Sequence, residues 1–302
     1  MRILFFYKYS QRTYGSIYMR VRQIKQIINE NSDISNAICK SLPISSILPN
    51  STYRLLINKA DVFIFSKEAV KLSSPLINIK NSDLKYSSKK IGADILDMET
   101  RPSIVKQLDF IVSSSRSQTE YFTTLAPEIP IVFLKHHADL RIPNDIPNPK
   151  QKKIAYFGAP ENFKKNKLGS HEIDFLEVKR DEISTDFLKL ALNYEFHLCT
   201  RPLNQLSSNN LHKPPTKIIT AAYMNAIPIV DEADGNALDV LGNDYPFIIN
   251  SDNKNLDKIT ALISCGKGTK EYCEAQQKIS QIRRQYHPRE ILKEFVNGIR
   301  QL

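Results

Sequence analysis

No apolar run in this 302-residue chain approaches the roughly 20 residues that a membrane-spanning helix requires, so no transmembrane segment is expected. The chain opens on MRILFFY, which turns polar too soon for a signal peptide and reads as a first strand. Cysteine is equally sparse. Cys39, Cys199, Cys265 and Cys273 are scattered without CxxC spacing, and the first two lie in apolar runs, so buried free thiols in a reducing cytosol are expected and a zinc site is not. There is no internal repeat, no low-complexity tract and no recognisable RNA- or DNA-binding motif. The composition that remains, 41% apolar and 25% charged, is ordinary for a globular protein. The length fits two domains of roughly 150 residues, each large enough to bury its own core.

Charge is the first positive signal. Residues 1–148 carry 20 Lys and Arg against 13 Asp and Glu, a balance of +7, whereas residues 149–302 carry 22 against 19, a balance of +3. A positive domain attracts nucleic acid, anionic lipid or an acidic substrate, and charge alone does not choose among them. An ordinary solvated basic surface would give the same balance. Arg20, Arg22 and Lys25 lie on a helix whose opposite face carries Ile17, Val21, Ile24 and Ile28, and all three are expected to face solvent.

Along the first half, short apolar strands at residues 3–7, 37–39, 62–65, 76–79, 93–96, 110–113 and 131–134 alternate with helical or loop segments, among them helices over 17–29 and 117–125. This alternation predicts an α/β fold, a parallel sheet wound with helices on both faces. Residues 139–149 (DLRIPNDIPNP) place three prolines within seven residues and read as an extended linker, after which a strand restarts at 154–157. The expected architecture is therefore two Rossmann-like doubly wound domains, 1–148 and 149–302, facing a central cleft outside the carboxyl ends of their strands.

The stretch from 196 to 230, FHLCTRPLNQLSSNNLHKPPTKIITAAYMNAIPIV, carries the most specific signal. An apolar strand stops at a polar loop, Lys213-Pro-Pro-Thr-Lys217 opens a helix, and the helix closes at Ala226-Ile-Pro228 into another strand. Lys213, Thr216 and Lys217 would gather at the helix N-terminus, where backbone N–H groups and the macrodipole already favour an anion, so the unit suits a phosphate. The wording resembles the nucleotide-sugar half of GT-B glycosyltransferases, in which a basic or acidic loop opens a helix that ends in small-x-Pro-[IV]-[IV]. The final helix, 288–300, with Ile291, Leu292, Phe295 and Ile299 on one face, matches the terminal helix that in GT-B enzymes packs back toward the first domain. One feature departs from the resemblance. The large retaining GT-B families carry two glutamates with seven residues between them before Gly-x-Pro-Val, and alignment on Pro228 puts Lys213 and Ala221 at those positions.

The resemblance implies a donor site and an acceptor side. Gly158, closing the strand at 154–157, would let backbone approach the donor diphosphate, although a plain turn uses glycine equally well. Arg201 follows the strand at 196–199 and joins the donor-binding set. Asp231, Glu232, Asp234, Gly235 and Asn236 form an acidic loop implied to lie against the sugar and diphosphate, and the same acids could simply cap the next helix. For an inverting enzyme the acceptor base would be Asp97 or Glu99, where a strand runs out in GADILDMETRP, with Arg101 nearby to hold a phosphate or carboxylate; a retaining enzyme could lack such a base. Tyr14, Gly15 and Ser16 form the tight turn after the first strand, on the acceptor side. His136 and His137 resemble the His-containing interdomain segment of many glycosyltransferases; on a strand they would alternate faces, leaving one as core.

The expected function is transfer of a sugar from a nucleotide-sugar to a glycan or lipid-linked acceptor, anionic if the +7 of the acceptor domain reports on it, in bacterial surface polysaccharide synthesis. The expected location is the cytoplasm, with peripheral membrane association allowed by the charge. The nucleotide-sugar is a co-substrate, and no cofactor or essential metal is expected. A DNA-modifying glycosyltransferase would use the same basic half on a duplex. A non-catalytic nucleic-acid-binding protein would need only the charge and leaves the Lys213–Pro228 unit unexplained.

Overall fold

The computed structural model describes residues 1–44, 60–72, 89–96, 102–143, 145–148, 150, 152–159, 168, 172–178, 185–201, 212–250 and 254–302. The chain divides into two units. The first comprises Met1–Lys135, His212–Pro214 and Pro288–Leu302, and the second His136–Leu211 and Pro215–His287. Each is built on its own parallel sheet, with six strands in one and five in the other, so the expected doubly wound α/β class is what the chain adopts.

In the first unit the strands are β1 (Arg2–Lys8), β2 (Ile38–Ile44), β3 (Val62–Ser66), β4 (Lys90–Asp94), β5 (Phe110–Ser113) and β6 (Ile131–Phe133), in spatial order β2-β1-β3-β4-β5-β6. Ile3, Leu4, Phe5 and Phe6 are all buried, as continuous apolar strands of a sheet covered on both faces must be. One face packs Leu4, Phe6, Phe63, Phe65, Ile91 and Phe122 into a common core, with the Phe6 and Phe65 rings stacked at 5.0 Å. The C-terminal helix Pro288–Arg300 belongs to this unit and buries Ile291, Leu292, Phe295, Val296 and Ile299. It lies so close to β6 that a Cβ on Gly298 would stand 2.9 Å from Val132 Cγ1. Arg289 reaches the Asn31 side chain at 3.0 Å, and Arg300 donates to the Ser35 carbonyl at 2.6 Å.

The helix after β1 corrects one expectation. Residues Tyr18–Gln23 form a π-helical turn before Ile24–Glu30 continues as α-helix. The i→i+5 turn accommodates an extra residue, and Arg20, expected to face solvent, is carried onto the buried side at 2% exposure. Its Nε meets Asp94 Oδ2 at 2.8 Å and its Nη1 donates to the Leu134 carbonyl at 2.8 Å. A single guanidinium therefore ties the helix to the end of β4 and to the chain leaving β6. Arg22 and Lys25 are half-buried.

The second unit contains β7 (Lys152–Gly158), β8 (Asp174–Glu177), β9 (Tyr194–Leu198), β10 (Ile227–Asp231) and β11 (Ile248–Ile249), in order β11-β10-β9-β7-β8. Helices Thr216–Tyr223, Gly235–Leu241, Leu256–Cys265 and Lys270–Gln285 supply apolar faces to a core that includes Phe196, Ile227, Ile229, Phe247, Ile259, Ala275 and Ile279. Lys150 lies below β7 and donates to the Leu192 carbonyl at 2.6 Å and the Met224 carbonyl at 2.7 Å, satisfying the C-terminal ends of Asp186–Ala191 and Thr216–Tyr223. Cys39 and Cys199 are buried as expected, whereas Cys265 and Cys273 are exposed because they fall on the outer faces of helices.

His197, in the middle of β9, is fully buried. Its Nε2 lies 3.0 Å from the Ala191 carbonyl, its ring meets Phe157 edge-on at 4.9 Å, and burial pulls its pKa from 6.5 to about 3. The unfolded chain then binds more protons than the folded one between those values. Stability should fall as pH drops from about 6.5 toward 3, by up to about 1.4 kcal/mol per pH unit, and be insensitive to this group above that window. Urea unfolding of His197→Leu should show a shallower acid slope than wild type over pH 6 to 4; an unchanged slope would assign the acid sensitivity elsewhere.

Candidate functional site

Parallel strands bring their carboxyl ends to one edge, and in the second unit that edge collects most of the donor-side candidates. Gly158 closes β7, Cys199–Arg201 follow β9, and Asp231 closes β10. Backbone bonds hold the loops in register, Cys199 N–H to the Ile229 carbonyl at 2.7 Å and Glu232 N–H to the Ile249 carbonyl at 2.9 Å. The Asp231 carboxylate accepts from Arg201 N–H at 3.2 Å, and Asp234 Oδ2 meets Arg201 Nε at 3.2 Å. Asp234 also N-caps Gly235–Leu241 by accepting from Ala237 N–H at 3.2 Å. Asp231, Asp234 and Asn236 are buried, while Glu232 and Gly235 are exposed.

Lys217 arrives from the first turn of Thr216–Tyr223, a helix that begins at the N-cap Pro215 with no acidic residue in its first turn. Its Nζ lies 3.7 Å from the centroid of the Tyr156 ring. Burial raises the Cys199 thiol to about 12, with the positive charges of Lys217 and Arg201 drawing it down and the Asp234 charge pushing it up. Two cations, a helix N-terminus and a glycine-ended strand thus share this edge. That combination can hold a doubly charged anion. Lys213, expected beside Thr216 and Lys217, groups with the first unit, where the adjacent His212 carbonyl accepts from Ser115 Oγ at 2.9 Å and the His212 ring lies 4.7 Å from Tyr121.

On the first unit's sheet, Tyr14 is the exposed N-cap of a short turn, Gly15–Ile17, with Ser16 exposed beside it and open space around Gly15. The Arg12 guanidinium lies 4.5 Å above the nearby Tyr9 ring. Asp97, Glu99 and Arg101 lie outside the described residues. Leu96 before them has φ 51°, a left-handed conformation that costs a non-glycine residue about 1–2 kcal/mol.

The histidine pair differs from expectation. The chain beyond Phe133 is no longer a strand, so His136 and His137 do not alternate across a sheet. Both are buried, their rings stacked at 5.8 Å, with His136 Nδ1 at 3.0 Å from the His137 carbonyl. Asp139 beside them grips Arg141 through both carboxylate oxygens, at 2.9 and 2.6 Å. Among the described residues no group of three or more His, Cys, Asp or Glu side chains could hold a metal ion. The sequence reading took Tyr156 only as a strand residue. The signal available was its place two residues before Gly158, on the same face of β7.

No protein-family model matches the chain, and no curated protein matches it in sequence. Solved structures do match in fold. The chain is similar over 100% of both chains to Anabaena Alr3699/HepE, solved in complex with UDP and glucose, with 10% identity and TM-score 0.68. It is similar over 100% of its length, and 99% of the other's, to sucrose-phosphate synthase from Thermosynechococcus elongatus, with 8% identity and TM-score 0.64. The catalytic domain of starch synthase IV from Arabidopsis thaliana, bound to ADP and acarbose, matches over 98% and 99% at 8% identity and TM-score 0.55. The fold is therefore of the GT-B type, two α/β units each built on a parallel sheet.

Asp234 serves two partners, and substitutions separate them. Asp234→Ala should cost about 1 kcal/mol for the lost cap and a further loss for its pairing with Arg201, whereas Asp234→Ser keeps a capping oxygen and should recover the first part only. Urea midpoints of the two variants decide this; equal losses would mean the cap contributes nothing.

Proposed function

We propose that this protein is a glycosyltransferase that moves a sugar from a nucleotide-sugar donor to a glycan or lipid-linked acceptor, in bacterial surface polysaccharide synthesis. The observation that carries the reading is the N-terminal opening of Thr216–Tyr223, with Lys217 in its first turn and its Nζ over the ring of Tyr156, two residues before Gly158. Thr216, Lys217 and the helix N–H groups would hold the donor diphosphate, with Lys213 and Arg201 supplying further positive charge and Gly158 admitting the ligand close to backbone. Charge leaving with the nucleoside diphosphate is met by these groups, so the reading requires no metal. Asp231, Glu232, Asp234, Gly235 and Asn236 would face the sugar. Structures with this fold solved with UDP or ADP support the choice of ligand class.

The first unit supports an anionic acceptor. Six cations precede the first acid, Glu30. Arg2 pairs with Asp61 and Arg20 with Asp94, whereas among the described residues Lys8, Arg12, Arg22 and Lys25 take part in no ion pair. These four, with Tyr14 and Ser16 near the end of β1, would favour an acidic glycan or a lipid-linked phosphate at the inner membrane face, with Arg101 assisting.

A thermal-shift screen of sugar nucleotides tests the class directly, since a ligand at 100 times its dissociation constant adds about 2.7 kcal/mol. Lys217→Ala should weaken the stabilising nucleotide about ten- to hundredfold by calorimetry, the equivalent of one charge-assisted contact. A folded variant with wild-type affinity would remove Lys217 from the donor site.

Asp97 or Glu99 would take the acceptor proton. Asp97→Asn or Glu99→Gln should then lower turnover by roughly 10²- to 10⁴-fold with donor affinity nearly unchanged, because a general base acts on the transition state. Wild-type turnover in both variants would point to a retaining mechanism or to another base.

A further inference from the structure

We propose that Tyr156 is a positioning residue whose ring face holds the Lys217 ammonium where it meets the donor phosphates. The inference rests on the donor-site reading of Lys217 and extends it to a residue that never touches the ligand. Three observations converge. Lys217 Nζ stands 3.7 Å from the Tyr156 ring centroid, well inside the range of a cation–π contact. The ring is itself fixed: it is 1% exposed and stacks on Phe175 of β8 at 6.0 Å with an interplanar angle of 15°. Gly158 keeps the space beside it clear, for a Cβ there would lie 3.0 Å from the Tyr156 hydroxyl.

The chemistry of the partner matters. A lysine side chain carries several rotatable bonds, and a ligand that must immobilise it loses affinity through the entropy of ordering. A carboxylate would hold the ammonium but cancel the charge that the phosphate needs. An aromatic face holds it and leaves the positive charge in place for an anion. Gly158 thereby acquires a second reason to be glycine, independent of any ligand, since a side chain there would push the ring and the ring would push the lysine.

The test combines calorimetry with UDP, ADP, GDP and dTDP on the folded full chain and NMR of reductively ¹³C-methylated lysines without nucleotide. Tyr156→Leu should weaken the bound nucleoside diphosphate about 3- to 30-fold while leaving the weak affinity of the matching nucleoside, which has no phosphate, unchanged. Tyr156→Phe, which keeps the ring, should recover the diphosphate affinity. Tyr156→Leu added to Lys217→Ala should cost nothing further, because the contact has already been removed. The Lys217 methyl resonance should be shifted upfield in wild type and Tyr156→Phe and unshifted in Tyr156→Leu; Tyr156→Met substitutes if the leucine variant does not fold. Losses that simply add in the double variant, equal weakening of nucleoside and diphosphate, or an unshifted wild-type resonance would each overturn the proposal. An upfield resonance in a wild-type protein that binds none of the four nucleotides would instead overturn the donor-site reading, and the positioning role with it, while leaving the contact standing.

Discussion

A parallel sheet covered on both faces leaves its edges as the places where polar side chains can gather, and that constraint shapes both units. Along β3, β5, β9 and β10 every residue is buried, so apart from Glu195 and His197 inside β9 their polar side chains gather where strands end. Ser66 and Asp94 stand side by side at the ends of β3 and β4, and Asp231 ends β10. Polar groups this deep require partners. Arg20 meets Asp94 in one unit and Arg201 meets Asp234 in the other, and in each case a charge-assisted bond binds a loop or helix to a strand end. Breaking one side of such a buried pair costs about 3–5 kcal/mol, which makes these edges rigid as well as polar.

Rigidity at the second unit's edge has a direction. Lys150, partly buried with its pKa drawn down to about 8, occupies the carbonyl end of Thr216–Tyr223. A cation at that end works with the macrodipole, and the opposite end of the helix opens with Lys217 in its first turn. The carboxylates of Asp231 and Asp234 are both oriented by Arg201, and that of Asp234 also by the helix it caps. Asp234 divides its two oxygens between these tasks, one accepting from Ala237 N–H and the other meeting Arg201 Nε.

Much of the architecture was legible in the pattern of residues. The strands at 3–7, 62–65 and 110–113 and the final helix 288–300 fall where their apolar periodicity put them. The strand read at 93–96 is instead Lys90–Asp94, because Gly92 and the two lysines before it mask a buried strand whose apolar content is short. The strand read at 76–79 lies outside the described residues. Helix Lys270–Gln285 went unread, although Thr269 caps it and Tyr272, Ala275, Ile279 and Ile282 recur on one face; its polar majority hides the stripe. The π-turn at Tyr18–Gln23 could not be read at all, since no residue type specifies an i→i+5 bond, and with it went the burial of Arg20.

The candidate site was legible where chemistry and local spacing coincide and illegible where side chains meet across strands. Lys217 at a helix start is visible in one dimension. Its contact with Tyr156 joins positions on two elements, and only the order β9-β7 in the sheet brings them together. The same holds for Arg201 and Asp234, which are separated by a helix and a strand in sequence but sit on adjacent strand ends. Departure from the two-glutamate pattern also takes on physical sense at this edge. Ala221 faces the core at zero exposure, packed among Phe196, Ile227 and Ile259, and a carboxylate there would be buried without a partner. The chain has used that position for packing, so the polarity of this edge comes from the strand ends and from the first turn of the helix.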